Sequence, residues 1–283
     1  MKNKIGISRL DIKSTRILLT ISFIFVGLIF IFPFIATIMT SLKTSFEIMK
    51  YPAKLLPIRP TFVNYATVLG SRYNYPLLYF NSIKITFINV TGCVVTSTLT
   101  GYAFGRLKFK GRDAIFLLYL ATLMIPPQVT LIPRFIQFTW MGITNTHWCL
   151  ILPGIFSVIG VFLMRQYFMQ IPFELSESAY IDGAGEYRTF FRIILPTVKP
   201  AIVAIIITTF NWQWNDYENP LVFLRDKSLY TLPLGLTAFS DENGAKFELI
   251  CAASILACLP LIIIFLFIQK QFINGLILGA LKE

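Results

Sequence analysis

Between Arg16 and Lys43 the chain carries no charged side chain and is dominated by Ile, Leu and Phe. Such a run exceeds the roughly 20 apolar residues that a helix needs to cross a bilayer core. It restricts the chain to folds whose solvent is partly lipid. Including Ile17–Leu42, six segments qualify or nearly so, the others being Ile85–Gly105, Ala114–Pro133, Trp148–Met164, Pro200–Asn215 and Leu249–Gln269. The fourth and fifth are short and flank a charged insert, so their helices are expected to continue into it. Of the 283 residues, 55% are hydrophobic and only 14% charged, with a mean hydropathy of +0.69. Soluble globular chains do not have this balance. The first run is too long for a signal peptide and lacks a small-residue cleavage pattern. The expected fold class is all-α, a polytopic membrane protein of six transmembrane helices. The expected organisation is a tail at 1–16, a first span at 17–42, an outer loop at 43–75, a core of spans two to six at 76–271, and a tail at 272–283.

Orientation follows from the basic residues. Arg106, Lys108, Lys110 and Arg112 crowd the link after the second span. Lys2, Lys4, Arg9, Lys13 and Arg16 precede the first span, and Arg165, Arg188, Arg192 and Lys199 lie between spans four and five. With six spans these links and both termini share one side, which the excess of Lys and Arg assigns to the cytoplasm. Lys43, Lys50, Lys54, Arg59 and Arg72 oppose this, but they are diluted over a longer loop. That loop holds Pro52, Pro57, Pro60 and Pro76 and suits irregular structure with short interfacial helices. Asn81 and Ser82 are the expected cap of the second span. The net charge of +11 thus reports topology. No soluble basic face invites nucleic acid.

Chemistry-bearing constellations are sparse. Cys93, Cys149, Cys251 and Cys258 lie in or beside apolar spans without CxxC spacing and read as packing residues. His147 is the single histidine, so a metal site lacks ligands. No Ser-His-Asp set and no GxxxxGK[ST] phosphate loop occurs. No catalytic, cofactor-binding or metal-binding residue is expected, and the chain is not expected to hydrolyse ATP.

The charged insert reads as a helical elbow. Pro172 followed by Phe173-Glu174-Leu175-Ser176-Glu177 suits a helix start, with carboxylates at the positive end of the dipole. Phe173, Leu175, Ala179, Tyr180 and Ile181 form no single stripe, so neighbours on two sides are expected. Gly183 and Gly185 are expected to end this helix. A second one should run over Glu186–Ile194, with Arg188 and Arg192 late in it, until Pro196 breaks the line.

The string from Glu177 through Ala179, Asp182 and Gly183 to Ile193-Ile194-Leu195-Pro196 resembles the "EAA loop" of membrane subunits of ATP-binding-cassette importers. Gly101-Tyr102-Ala103-Phe104 with Arg106, Ile132-Pro133, Trp214-Asn215-Asp216, Thr231-Leu232-Pro233-Leu234-Gly235 and Gly279-Ala280-Leu281-Lys282 resemble landmarks of its carbohydrate branch, the MalG-type subunits of maltose and multiple-sugar importers. The resemblance runs from about residue 15 to the end. Ser178 departs from the usual alanine, and Arg134 from the usual apolar residue after Ile-Pro. An arginine at mid-membrane depth costs roughly 2.5–3.5 kcal/mol on insertion scales, so Arg134 is expected near the outer surface or facing the bundle interior.

The resemblance implies a multi-pass subunit of a bacterial cytoplasmic membrane. Its partners would be a homologous second permease subunit, two ATPase subunits that bind ATP and Mg, and an extracytoplasmic solute-binding protein. This chain itself would bind no cofactor. The residues implied to couple to the ATPase are Glu177, Ser178, Ala179, Asp182, Gly183, Arg188, Leu195 and Pro196. Glu177 would pair with a basic residue there, Ala179 and Gly183 would permit close approach, and the carboxyl tail would reach toward the ATPase pair.

Candidate substrate-pathway residues are Asn211, Trp212, Trp214 and Asn215 at the end of span five, with Gln128, after the Pro126-Pro127 break in span three, and Arg134. Amides and aromatics suit sugars, through stacking and hydroxyl hydrogen bonds. An interfacial aromatic belt explains the tryptophans equally well. The solute implied is a sugar or oligosaccharide, with a glycerol phosphate compound or an acidic sugar as the alternative. A secondary transporter is a more remote reading, because Asp216, Glu218 and Glu248 lie at span ends rather than at the midplane.

Overall fold

A computed structural model describes residues 9–280 except 53, 242 and 243. The described chain is mostly helical. In order come α1 (Arg9–Ser41), α2 (Ser45–Ile48), α3 (Val63–Leu69), α4 (Tyr75–Arg106), α5 (Arg112–Ala121) with a 3₁₀ turn at Thr122–Met124, and α6 (Pro127–Trp140). Then follow α7 (Trp148–Gly154), α8 (Val158–Met169), α9 (Glu174–Ile181), α10 (Glu186–Thr189), a π segment (Phe190–Ile194), α11 (Leu195–Thr197) and α12 (Lys199–Trp214). Last come α13 (Glu218–Phe223), α14 (Leu232–Gly235), an antiparallel pair of two-residue strands, β1 (Ser240–Asp241) and β2 (Gly244–Ala245), and α15 (Phe247–Ala280). Among the described residues four helices are long and apolar enough to cross a membrane: Arg16–Ser41, Tyr75–Arg106, Trp148–Met169 and Phe247–Phe267. Two bent pairs raise the number to six if each counts as one span.

The residues divide into two units, each with its own internal packing. One comprises the chain up to Tyr73 together with Phe239–Leu256. There Asn64 Nδ2 donates to the carbonyls of Ser41 and Lys43, both at 2.7 Å, and Ser41 Oγ lies 2.7 Å from the Tyr65 hydroxyl. These bonds satisfy the end of α1, whose last carbonyls have no helical partner. Ser45 Oγ donates to the buried Glu248 carboxylate at 2.5 Å. The stretch 43–75 thus contains two short helices within irregular chain, α2 and α3.

The second unit runs from Asn74 to Ala238 and resumes at Ala257. Its centre is α4, packed on α8 and α12. Polar and small residues of α4 face inward: Asn81 is buried, and from Ser82 on Thr86, Asn89, Cys93, Ser97, Gly101 and Gly105 recur every three or four positions and are buried. Phe80, Phe87, Val95 and Leu99 point outward. Lipid is as apolar as Leu, so membrane helices associate through small side chains and hydrogen bonds rather than apolar burial. Gly101 and Gly105, four apart, give α8 its close approach. A Cβ at Gly101 would stand 2.5 Å from the Met164 Cβ, and one at Gly105 3.1 Å from the Phe168 Cβ. The core around this contact joins Tyr102, Met164, Phe168, Phe190, Ile194 and Ile205.

Several expectations need correction. The second span begins at Tyr75, after Asn74 in the left-handed conformation (φ 49°), with Pro76 in its first turn. Asn81 and Ser82 are therefore not caps. They lie inside α4, where Asn81 donates to the carbonyls of Ser228 and Tyr230 and Ser82 accepts from the Leu232 amide at 2.7 Å. The third segment does break at Pro126-Pro127 as expected, and sharply, with Arg112–Met124 and Pro127–Trp140 meeting at 99°. Pro126 and Pro127 force this: a residue before proline is pushed out of the helical region, and Ile125 sits at ψ 116°. The fourth helix does continue five residues past Met164, to Met169, but it is interrupted at Ile155–Ser157. The fifth does not run straight into the insert. It bends by 72° between Glu186–Thr197 and Lys199–Trp214.

Candidate functional site

Residues 171–197 form the elbow. α9 starts after Pro172, with Glu174 and Glu177 in its first turn. It ends in a paired set of backbone bonds: the Ala184 amide donates to the Ala179 carbonyl (2.9 Å) and the Gly183 amide to that of Tyr180 (3.0 Å). This Schellman termination requires a left-handed residue at its turn, and Gly183 adopts φ +75°, with open space where a Cβ would stand. Gly185 plays a different part from the one expected. Its φ is −72°, and it caps α10, accepting from the Thr189 amide at 3.0 Å. The second arm also runs further than expected. It continues through Pro196 to Thr197, because a wider π turn at Phe190–Ile194 accommodates a proline that has no N–H to donate. The break lies at Val198 instead.

Two side chains hold the elbow against the rest of its unit. Arg106, at the end of α4 and buried, donates to the Ile171 carbonyl (2.5 Å), the Pro172 carbonyl (3.4 Å) and Ser176 Oγ (2.6 Å), and its guanidinium lies 4.1 Å from the Phe173 ring centre. Glu186 accepts from the Tyr102 hydroxyl with one oxygen (3.0 Å) and from the Tyr180 hydroxyl with the other (2.6 Å). That bond keeps the Tyr180 phenol protonated and raises its pKa. Tyr102 itself is wedged edge-on between Phe168 and Phe190. The four-residue GYAF string with Arg106 thus has a physical role in this chain: glycine for the helix contact, tyrosine and arginine for the elbow. Sequence reasoning did not select Tyr102, Arg106, Ser176 or Glu186 as site residues.

Ser176 and Ala179 are buried against the chain, so Ala179's small side chain serves packing inside this protein rather than an outward approach. Ser178 Oγ bonds back to the Glu174 carbonyl (2.7 Å). Glu177, Asp182, Gly183, Arg188 and Pro196 are exposed, and Leu195 is half-buried. Among them stand Ile181 (86% exposed) and Tyr187 (83% exposed). Two uncovered apolar side chains flanked by Glu177, Asp182 and Arg188 make a surface suited to a protein partner. Among the described residues no neighbour covers the Ile181 side of α9. At the same end of the bundle Arg165 donates to Asp113 (2.9 Å) and lies 4.1 Å from the Phe116 ring centre, tying α8 to α5.

The substrate candidates do not converge. Trp214 is 3% exposed, stacked on Phe210, with its indole N–H taken by the Ala257 carbonyl at 3.0 Å. Asn215 bonds back to Asn211, which lines a mostly apolar groove with Leu261, Ile262 and Phe265. Gln128 is exposed in the first turn of α6. Arg134 turns inward: it donates to Asn219 Oδ1 (3.1 Å), and Asn219 Nδ2 donates to both Asp216 oxygens. Burial pushes the Asp216 carboxyl above the usual carboxylate range despite these bonds. Trp212, 77% exposed, faces a different cavity.

His147 Nε2 pairs with the Leu229 carbonyl at 2.9 Å. Among the described residues no cluster of three metal-ligating side chains occurs, and the four cysteines are unpaired thiols.

These elements make an apolar, largely helical bundle with a proline-bounded polar elbow. Residues 97–277 match the family described as binding-protein-dependent transport system inner membrane component, and the chain belongs to that family. It is 36% identical over 267 residues to the arabinooligosaccharides transport system permease protein AraQ of Halalkalibacterium halodurans, covering 94% of this chain and 96% of the relative. It is 35% identical over 263 residues to the galactooligosaccharides transport system permease protein GanQ of Bacillus subtilis, covering 91% and 92%. In fold it matches a chain of a bacterial ABC transporter that imports the acidic polysaccharide alginate, with a TM-score of 0.83 over 94% of this chain and 98% of the other, at 22% identity.

Proposed function

We propose that this chain is one of two membrane-spanning subunits of an ATP-driven importer for an oligosaccharide, and that the elbow is where it docks on a cytoplasmic ATPase. The observation that carries the reading is the outward face of α9 and α10. The elbow is rigid on its inner side, through Arg106 and Glu186, and uncovered on its outer side, at Glu177, Ile181, Asp182, Tyr187 and Arg188. A rigid element exposed on one face transmits a displacement instead of absorbing it. Arg106 and Tyr102 end α4, and Phe190 and Ile194 enter the core beside α8 and α12, so movement of the elbow reaches the helices that would line the passage.

The bent pairs then count as spans three and five. That makes six spans, with both termini and the elbow on the cytoplasmic face of a bacterial cytoplasmic membrane. ATP and Mg belong to two ATPase subunits, and solute arrives on an extracytoplasmic binding protein. The sugar class rests on the names of the relatives. Reconstitution with the second permease, the ATPase and the binding protein tests the reading. Uptake should need ATP hydrolysis and cease with ADP, whereas uptake driven by an imposed ion gradient alone contradicts it.

A further inference from the structure

The link from α4 to α5 carries Arg106, Lys108, Lys110 and Arg112, and only half of this charge is used within the chain. Arg106 is spent on the start of the elbow. Arg112 donates from Nε and Nη2 to the Asp113 carboxylate, both at 3.2 Å, and from Nη1 to the Leu107 carbonyl at 3.4 Å. Asp113 is also held by Arg165 at 2.9 Å, so this one carboxylate sits between two guanidiniums. Among the described residues Lys108 and Lys110 enter no ion pair, and both are exposed. Gly111, at φ +79°, turns the chain back, and the Arg112 amide reaches the Phe109 carbonyl at 3.4 Å. Lys108, Phe109, Gly111, Arg112, Asp113 and Ala114 thereby line a hollow of about 460 Å³. Ligand sites usually measure roughly 300–1,000 Å³.

The excess of cations calls for an anion, and the apolar surroundings decide which kind. Leu107 and Phe109 of the link are exposed, as are Ile115, Leu117 and Leu118 of α5, while Phe116 turns the other way and is buried against Phe104 and Val161. Ile115 and Leu118, three apart, share a helix face. Ile115 Cδ1 stands 3.8 Å from where a Gly111 Cβ would be, so this apolar face runs down to the rim of the hollow. A soluble anion gains nothing from such a face. A phospholipid covers both parts, its phosphate among the lysines and an acyl chain along the helix. Basic clusters immediately beside a membrane helix attract anionic headgroups, at a gain of about tenfold or more in affinity for two lysines. A zwitterionic lipid brings its own cation to its phosphate and gains much less.

We propose that this hollow binds the headgroup of an anionic phospholipid of the cytoplasmic leaflet, with Lys108 and Lys110 on the phosphate and an acyl chain along Ile115 and Leu118. The inference goes beyond the importer reading and rests on its topology, which sets residues 107–113 on the cytoplasmic side. Native mass spectrometry of the full-length chain in detergent decides it, with phosphatidylglycerol and phosphatidylcholine of identical acyl chains as probes. The wild type should retain one phosphatidylglycerol about tenfold more tightly than phosphatidylcholine. Lys108→Gln with Lys110→Gln should abolish that preference, and Lys108→Arg with Lys110→Arg should keep it. Lys50→Gln with Lys54→Gln removes the same charge from the stretch 43–75 and should leave it unchanged. Leu118→Asn should weaken phosphatidylglycerol binding, and inorganic phosphate in large excess should not displace the lipid. Equal wild-type affinity for the two lipids overturns the site, and that readout needs no variant to fold. A preference that survives in the glutamine pair, binding indifferent to Leu118→Asn, or displacement by inorganic phosphate overturns it as well. Loss of ATPase capture in the glutamine pair with lipid preference intact assigns the lysines to a protein partner instead. Binding in detergent is blind to sidedness, so each of these results leaves the importer reading standing. Reaction of Lys110→Cys with an impermeant thiol reagent only from outside overturns the topology, and with it the cytoplasmic placement of the site.

Discussion

Arg106 gives three hydrogen bonds to the start of the elbow. Hydrogen bonds from a charged group contribute roughly 1.5–3 kcal/mol each, and their loss strands buried acceptors. Arg106→Ala should therefore let α9 shift, and capture of the ATPase should weaken by at least about tenfold while membrane insertion persists. Arg106→Lys should recover only part, because a single ammonium lacks the guanidinium fork. Pull-down of the ATPase measures both, and wild-type capture by the alanine variant would show the clamp to be dispensable. Asp216 carries a pH signature. Its folded pKa is raised by burial, so its contribution to stability is fully present below the ordinary value of 3.8 and is lost as pH rises through the raised one. Asp216→Asn removes this dependence. The stability of wild type relative to Asp216→Asn should rise as pH falls from 7 toward 4, in thermal unfolding of the purified protein followed at several pH values. A pH-independent difference would contradict it.

At the scale of elements, the helix contact and the turn are separable by mutation. Gly101→Val places a branched side chain where even a Cβ meets Met164 at 2.5 Å. Overpacking of this kind costs roughly 1–3 kcal/mol, so the melting temperature should fall along with uptake. Gly183→Val meets no neighbour, but it forces a branched residue to φ +75°, at roughly 1–2 kcal/mol. It should lower coupled transport more than assembly or melting temperature. An equal loss of all three in both variants would contradict the distinction. The turn was legible in the sequence because its signals are local: a proline before, carboxylates in the first turn, a glycine at the end. The clamp was not. Arg106 and Ser176 are 70 residues apart, and Tyr102 and Glu186 are 84 apart, so no periodicity or spacing pairs them. The long apolar runs gave α1, α4 and α15 from length alone. The two prolines marked the break at Pro126-Pro127, though not its 99° angle, whereas the unwound turn at Ser157 was concealed, since hydropathy averages over a break of two or three residues. The tail Leu281-Lys282-Glu283 lies outside the described residues.

For the whole molecule, the proposed topology sets Lys110 and Lys227 on opposite faces of the membrane. Both are exposed. In a background lacking the four native cysteines, Lys110→Cys should react with a membrane-impermeant thiol reagent only from the cytoplasm, and Lys227→Cys only from outside. Reversal would show that the basic outer loop outweighs Arg106–Arg112 in setting orientation. The central claim is that the exposed face of the elbow joins this subunit to an ATPase, and Glu177 is its most direct probe. Its side chain is uncovered in this chain and lies outside the apolar spans, so Glu177→Lys should leave folding and insertion unchanged. If Glu177 meets a basic residue across a desolvated interface, reversal sets two like charges face to face. Truncating one partner of such a pair costs roughly 2–5 kcal/mol, so ATPase affinity should drop by well over tenfold. The measurement is ATPase affinity together with solute-dependent ATP hydrolysis, in membranes holding equal amounts of either protein. The account predicts that both fall in the Glu177→Lys protein, and wild-type values of both would contradict it.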